Sequence, residues 1–215
     1  MHSMHGSRGT TLIEQLLALL LCGVMVSSLY VFFRAELYQI IEEQRKTATL
    51  EDARGALDLM VRDLKNAGSW ASGSAPSEQG GSDDPDGDAD ALCNRVYIAT
   101  ATLIHVQMDL NGDGSCGGDH PRENLRYELT GPTATCPGIR IIRRNGDCLV
   151  GNVTPVRAET LFTYFNDAGA DLGHAPAPSD IKRVHIAFSV QDKSPDPTRI
   201  RTIQTTLATS VQLRN

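Results

Sequence analysis

The sequence predicts an α+β protein: one long N-terminal helix, apolar in its first half and amphipathic in its second, packed on a C-terminal antiparallel β-sheet. Three observations carry that prediction. Gln15 to Phe33 runs 19 residues without a charge, which at helical rise matches the hydrocarbon core of a bilayer. Apolar residues then recur at three- and four-residue steps as far as Ala67, the period of a helix with one buried face. Past residue 94 the period changes to two, and no helical pattern separates the alternating segments, so the strands they form pair antiparallel.

The apolar run opens on Arg8-Gly9-Thr10-Thr11-Leu12-Ile13-Glu14. A lone carboxylate such as Glu14 costs on the order of 2.5 to 3.5 kcal/mol inside lipid, so it needs a partner, a proton or a function. An ordinary secretory signal has a shorter apolar core with a small-residue cleavage site behind it. Here the run is full length and continues straight into the amphipathic pattern. A short polar leader with a basic residue, a Gly, a Glu at the fifth position after that Gly, and a full membrane length of apolar residues together resemble the class III signal of type IV prepilins. The resemblance implies that a membrane prepilin peptidase cuts between Gly9 and Thr10, that Thr10 becomes the methylated N-terminus, and that Glu14 is an assembly contact. Thr10 stands where that family usually has Phe or Met. The expected organisation is a leader over 1–9, a transmembrane half-helix over 10–33, an amphipathic half-helix over 34–68 and a periplasmic head over 69–215.

In the amphipathic half, Leu50, Ala53, Leu57, Met60 with Val61, Leu64 and Ala67 form one stripe, while Glu42 with Lys46 and Asp58 with Arg62 are favourable four-apart pairs on the wet faces. Gly68 directly after the last apolar step is a natural left-handed stop, placing the helix from about Thr11 to Ala67. From Ser69 to Ala91 the pattern gives way to Gly, Ser, Pro and Asp. Glu78, Asp83, Asp84, Asp86, Asp88 and Asp90 accumulate there without a Lys or Arg, the composition of a solvated loop.

Strands are expected over Arg95–Leu110, Asn124–Leu129, Gly138–Arg143, Ala158–Phe165, Ile181–Gln191 and Ile200–Leu213, with Asn145-Gly146-Asp147 as a tight turn leading to Cys148. Val184, Ile186, Phe188 and Val190 alternate, as do Ile203, Thr205, Leu207, Thr209, Val211 and Leu213, so each of these strands buries one face. Of five cysteines, Cys22 lies in the apolar run and Cys93, Cys116, Cys136 and Cys148 lie in the head. Four in a segment placed outside the cytoplasm read as two disulfides with three connectivities open; neighbours in sequence pair most cheaply, so Cys93 with Cys116 and Cys136 with Cys148 is the expected set.

The formal charge of −6, one unit more negative without Arg8, and the absence of basic clusters interleaved with aromatics exclude a nucleic-acid surface. No nucleophile elbow, zinc-protease helix or phosphate-cradling Gly loop occurs, and His105 and His185 fall in strands, so the sequence predicts a non-enzyme. One segment has the donors for a hard cation. Asp109-Leu110-Asn111-Gly112-Asp113-Gly114 places side-chain oxygens at alternate positions before a Gly, as a calcium loop does. His120 stands where such a loop has its bidentate Glu, with Asp119 and Glu123 nearest. Calcium at Asp109, Asn111 and Asp113, and an Asx-rich turn with no metal, are both open at this point.

The order of long helix then antiparallel sheet also resembles the pilin family, and the ending Ser210-Val211-Gln212-Leu213-Arg214-Asn215 is similar to that of PilW-type minor pilins. That resemblance implies a minor subunit of a type IV pilus that primes fibre assembly with other minor and major pilins on an inner-membrane assembly platform. Two alternatives remain: a minor pseudopilin of a type II secretion system, and a membrane-anchored, calcium-dependent adhesin or binding module. Cleavage after Gly9 predicts a mature chain starting at Thr10. Intact-mass measurement of membrane-extracted protein checks it, with Gly9→Val expected to block processing; a retained leader in the wild type would remove the prepilin expectation.

Overall fold

The computed structural model describes residues 11–70, 94–112, 122–157, 159–193 and 202–213. Helix α1 (Leu12–Asn66) is 55 residues long, which at helical rise is about 80 Å. It ends where the sequence supplies a stop. Ala67 N–H still reaches the carbonyls of Asp63 and Leu64, and Gly68 then takes φ +74°, where a side chain would be strained and a Cβ would come within 2.8 Å of the Arg95 side chain. The Gly68 N–H donates to the Gln107 carbonyl at 3.0 Å, so the helix terminus is stitched directly to the sheet.

Two antiparallel sheets follow, where the sequence predicted one. The first is a five-stranded meander in chain order: β1 (Val96–Ala99), β2 (Leu103–Gln107), β3 (Asn124–Thr130), β4 (Ile141–Arg144) and β5 (Asp147–Val150). The second is built on β8 (Arg183–Lys193), which pairs along its whole length with β9 (Thr202–Gln212) and on its other edge with β6 (Val153–Pro155) and β7 (Phe162–Phe165). The division arises at Gly151 and Asn152, after which β6 leaves β5 and pairs with β8 instead.

Local chemistry explains the turns. Asn145 and Gly146 both take positive φ, 49° and 88°, as the two-residue hairpin between β4 and β5 demands. The β1–β2 turn has no Gly, Pro, Asn or Asp. Thr100 builds it instead, its hydroxyl accepting the Leu103 N–H at 3.0 Å and the Thr102 N–H at 3.3 Å. That turn joins the sheets: the Ala101 carbonyl accepts the N–H groups of Leu161 and Phe162, and the Tyr164 hydroxyl donates to the Thr100 carbonyl at 2.7 Å. Burial pushes the Tyr164 hydroxyl far above its usual pKa, so it remains a donor.

One apolar core fills the space between α1 and both sheets. Ala53, Ala56, Leu57, Met60, Leu64 and Ala67 come from the helix, and Ile104, Val106, Leu125 and Tyr127 from the first sheet. Val184, Ile186, Phe188 and Val190 face inward from β8. Withdrawing a Met or Leu side chain from water contributes about 1.5 to 3 kcal/mol, so these few turns of α1 hold the head together.

A charge lies inside that interface. Asp63 is 5 % exposed, and its Oδ2 accepts the Tyr127 hydroxyl at 2.6 Å and the Arg144 Nε and Nη2 at 3.1 and 2.9 Å. Tyr127 and Arg144 are register partners on β3 and β4, so the sheet presents both to one carboxylate. Burial, reinforced by Asp63, raises the Tyr127 pKa well beyond physiological pH, which keeps its proton on the hydroxyl facing Asp63. Asp63→Ala is expected to lower unfolding free energy by roughly 2 to 3 kcal/mol, less than the loss for a fully buried pair because Arg144 keeps contact with water. Urea denaturation of the detergent-solubilised chain measures it; a change under about 0.5 kcal/mol would mean that the network contributes no stability.

Candidate functional site

Two places on the molecule carry more than packing. The first is the N-terminal half of α1. From Leu12 to Ile41 its large apolar residues are all exposed, Leu16, Leu20, Val24, Phe32 and Phe33 among them, and none of the membrane-length apolar window is buried within the molecule. This is a helix long and apolar enough to cross a membrane. Its polar side chains are accommodated as lipid requires: the Ser27 hydroxyl donates to the Gly23 carbonyl at 2.7 Å and the Ser28 hydroxyl to the Met25 carbonyl at 2.8 Å. At the far end of the run Arg34 lies over the Tyr38 ring, 5.6 Å from its centroid, a cation and an aromatic of the kind that anchor a span at the interface. Glu14 lies in the first turn of α1, where the helix dipole favours a negative charge. Gly9 and Thr10 lie outside the described residues. Cys22 is exposed on the same helix and is not in a disulfide.

The second place is the corner where the chain leaves β2 and enters β3. Met108 N–H donates to the Glu123 carbonyl at 2.9 Å and Asp109 N–H to the Ser69 carbonyl at 2.9 Å, so the corner rests on the residue that follows the helix stop. Asp109 and Glu123 are both buried, at 4 % and 2 % exposure, beneath exposed Leu110, Asn111 and Gly112. Asp109 Oδ1 accepts the Gly112 N–H at 2.7 Å, which is the Asx turn, and Gly112 supplies the positive φ of 79° that it needs. Glu123 Oε1 accepts the N–H groups of Leu110 and Asn111, each at 3.0 Å. The second oxygen, Glu123 Oε2, is buried with no hydrogen-bond partner among the described residues.

Of the residues expected to ligate calcium, Asp109 and Asn111 are therefore on one turn, and Asp113 lies outside the described residues. The turn alternative accounts for Asp109 Oδ1. It does not account for Glu123, whose sequence signal was only that it stood near the missing bidentate position.

A disulfide joins Cys136 to Cys148, Cα atoms 5.7 Å apart, and ties the β3–β4 connection to β5. Cys93 and Cys116, like the acidic stretch over 83–90, lie outside the described residues. His105 packs edge-on against Tyr97 and donates through Nε2 to Asn124 Oδ1; burial lowers its pKa, with Arg126 also opposing its charge, which leaves a neutral structural ring. Among the described residues no three acidic, His or Cys side chains gather into a metal cluster. Comparison with known proteins adds no relative: no protein-family model, no curated protein and no solved structure matches the chain.

Proposed function

We propose that this protein is a minor subunit of a type IV pilus. It is held in the inner membrane by the first half of α1 with its head in the periplasm, and it joins other minor and major pilins to prime fibre assembly, with the fibre tip as its final place. The observation that carries the proposal is the division of one continuous helix: the large apolar side chains of its first half are exposed, while residues 53 to 67 form the spine of the head. A helix needed only as an anchor could be joined to the head by any linker. One that continues rigidly into the core transmits the position of the head to whatever packs against the apolar half. Lipid covers that half during storage, and neighbouring pilin helices cover it in a fibre.

Glu14 supports the same proposal. A carboxylate at this depth is costly unless compensated, and peptidase cleavage after Gly9 creates an amino group at the same depth on every processed subunit. The amine of a neighbouring pilin neutralises Glu14 only when the helices bundle in register, so the pair rewards assembly and penalises solitary helices. The disulfide between Cys136 and Cys148 fits a head facing an oxidising compartment.

Glu14→Ala is expected to be processed and inserted normally but to recover partner minor pilins poorly on co-purification and to lower surface pilus counts. Wild-type values of both would mean that Glu14 makes no assembly contact. A deletion strain that keeps all its pili would overturn the pilus assignment itself.

A further inference from the structure

Among the described residues, Glu123 Oε2 is the one buried side-chain polar atom without a hydrogen-bond partner. Leaving a buried carboxylate oxygen unpaired is among the more expensive defects a fold can carry, so native interiors fill such positions with a donor, a water or an ion. Protonation does not solve it here. A proton on Oε2 would need an acceptor, and among the described residues no hydrogen-bond partner of either kind lies within reach. Nor does an ion pair: among the described residues no Lys, Arg or His reaches Glu123. Its Oε1 is already held by two backbone N–H groups of the turn that carries Asp109 and Asn111, so the carboxylate cannot swing away without breaking both.

We propose that Glu123 is the anchoring ligand of a calcium site at the β2–β3 corner, with Asp109 and Asn111 contributing side-chain oxygens from the same turn. The donor set is oxygen only, which selects a hard cation over zinc or copper. The buried Glu123 carboxylate has no Lys, Arg or His on it among the described residues, and a divalent ion at Oε2 provides the missing positive charge. Calcium suits the corner better than magnesium. Magnesium insists on near-octahedral geometry and retains several waters, whereas calcium accepts irregular sets of six to eight oxygens from anchored carboxylates and backbone. The site is also placed to matter mechanically, since Asp109 N–H bonds to the Ser69 carbonyl and Gly68 N–H to the Gln107 carbonyl, so an ion that orders this corner also clamps the exit of α1.

The test uses the full chain in detergent, freed of metal with chelator. Titration calorimetry with calcium chloride should give about one ion per chain with Kd in the 10⁻⁴ to 10⁻³ M range usual for extracellular sites. Calcium at ten times Kd should raise Tm by roughly 3 to 6 °C over chelator. Glu123→Gln keeps the size and the Oε1 acceptor but removes the charge, and should weaken binding at least tenfold and abolish the Tm increment; circular dichroism checks that it folds. Asp109→Asn, which retains the Gly112 hydrogen bond, carries the test if Glu123→Gln does not fold, and should weaken binding likewise. No calcium-dependent Tm change in the wild type, or an increment that survives in both variants, would overturn the site and leave a buried water as the partner of Oε2. An equal increment from magnesium at the same concentration would overturn the assignment to calcium.

Discussion

The carboxylate of Asp63 is the interaction on which the rest of the arrangement depends. Apolar contact between a helix and a sheet is strong but non-directional, and a stripe such as Ala53, Ala56, Leu57, Met60 and Leu64 loses little by sliding or rolling slightly against a flat apolar face. A buried anion has no such freedom. Asp63 Oδ2 collects the Tyr127 hydroxyl and two nitrogens of Arg144, and any rotation of α1 that breaks those bonds leaves the buried carboxylate only its longer contact with Arg62 on the same helix, 3.7 Å away. The network therefore sets the rotation and height of the helix on the head, and through a rigid helix it sets where the apolar half points.

That coupling is why one helix can serve two solvents. Over its last turns α1 behaves as a core element, with Met60 and Leu64 fully withdrawn from water. Over its first turns it presents Leu, Val and Phe all round, a surface that only lipid or other helices can cover. Between them lies a stretch of amphipathic helix, from Arg34 to Asp52, with little of it buried. The apolar half keeps its large side chains exposed, a surface that water alone covers poorly. The helix is long and apolar enough to cross a membrane.

Much of this was legible in the sequence, and the reasons differ by element. The helix and its stop were legible because periodicity accumulates over many turns and Gly68 marks a left-handed residue. The long strands β8 and β9 were legible because their alternation is sustained. The β1–β2 hairpin was not, because its turn is made by a Thr100 hydroxyl and carries none of the usual turn residues. Strand β6 was missed because three residues ending in Pro155 give too short a pattern, and the split into two sheets went with it. Asp63 was invisible for a different reason. Next to Arg62 it looks like any residue on a wet helix face, and its partners Tyr127 and Arg144 stand 64 and 81 residues away, so only tertiary structure brings them to it. Glu123 lies between these cases: its spacing from Asp109 is legible in the sequence, but its burial and its orphaned oxygen are consequences of the fold.

The claim at the centre of this account is that α1 is one continuous helix used in two separate environments. Hydrogen exchange along α1 in detergent micelles, read by mass spectrometry, measures that directly. The account predicts two protected blocks, residues 12–33 shielded by the micelle and residues 53–66 protected to the stability of the head, separated by faster exchange over residues 34–49, whose backbone bonds face water. Uniform protection across 34–66, or loss of protection in 53–66 while the sheets remain protected, would contradict it.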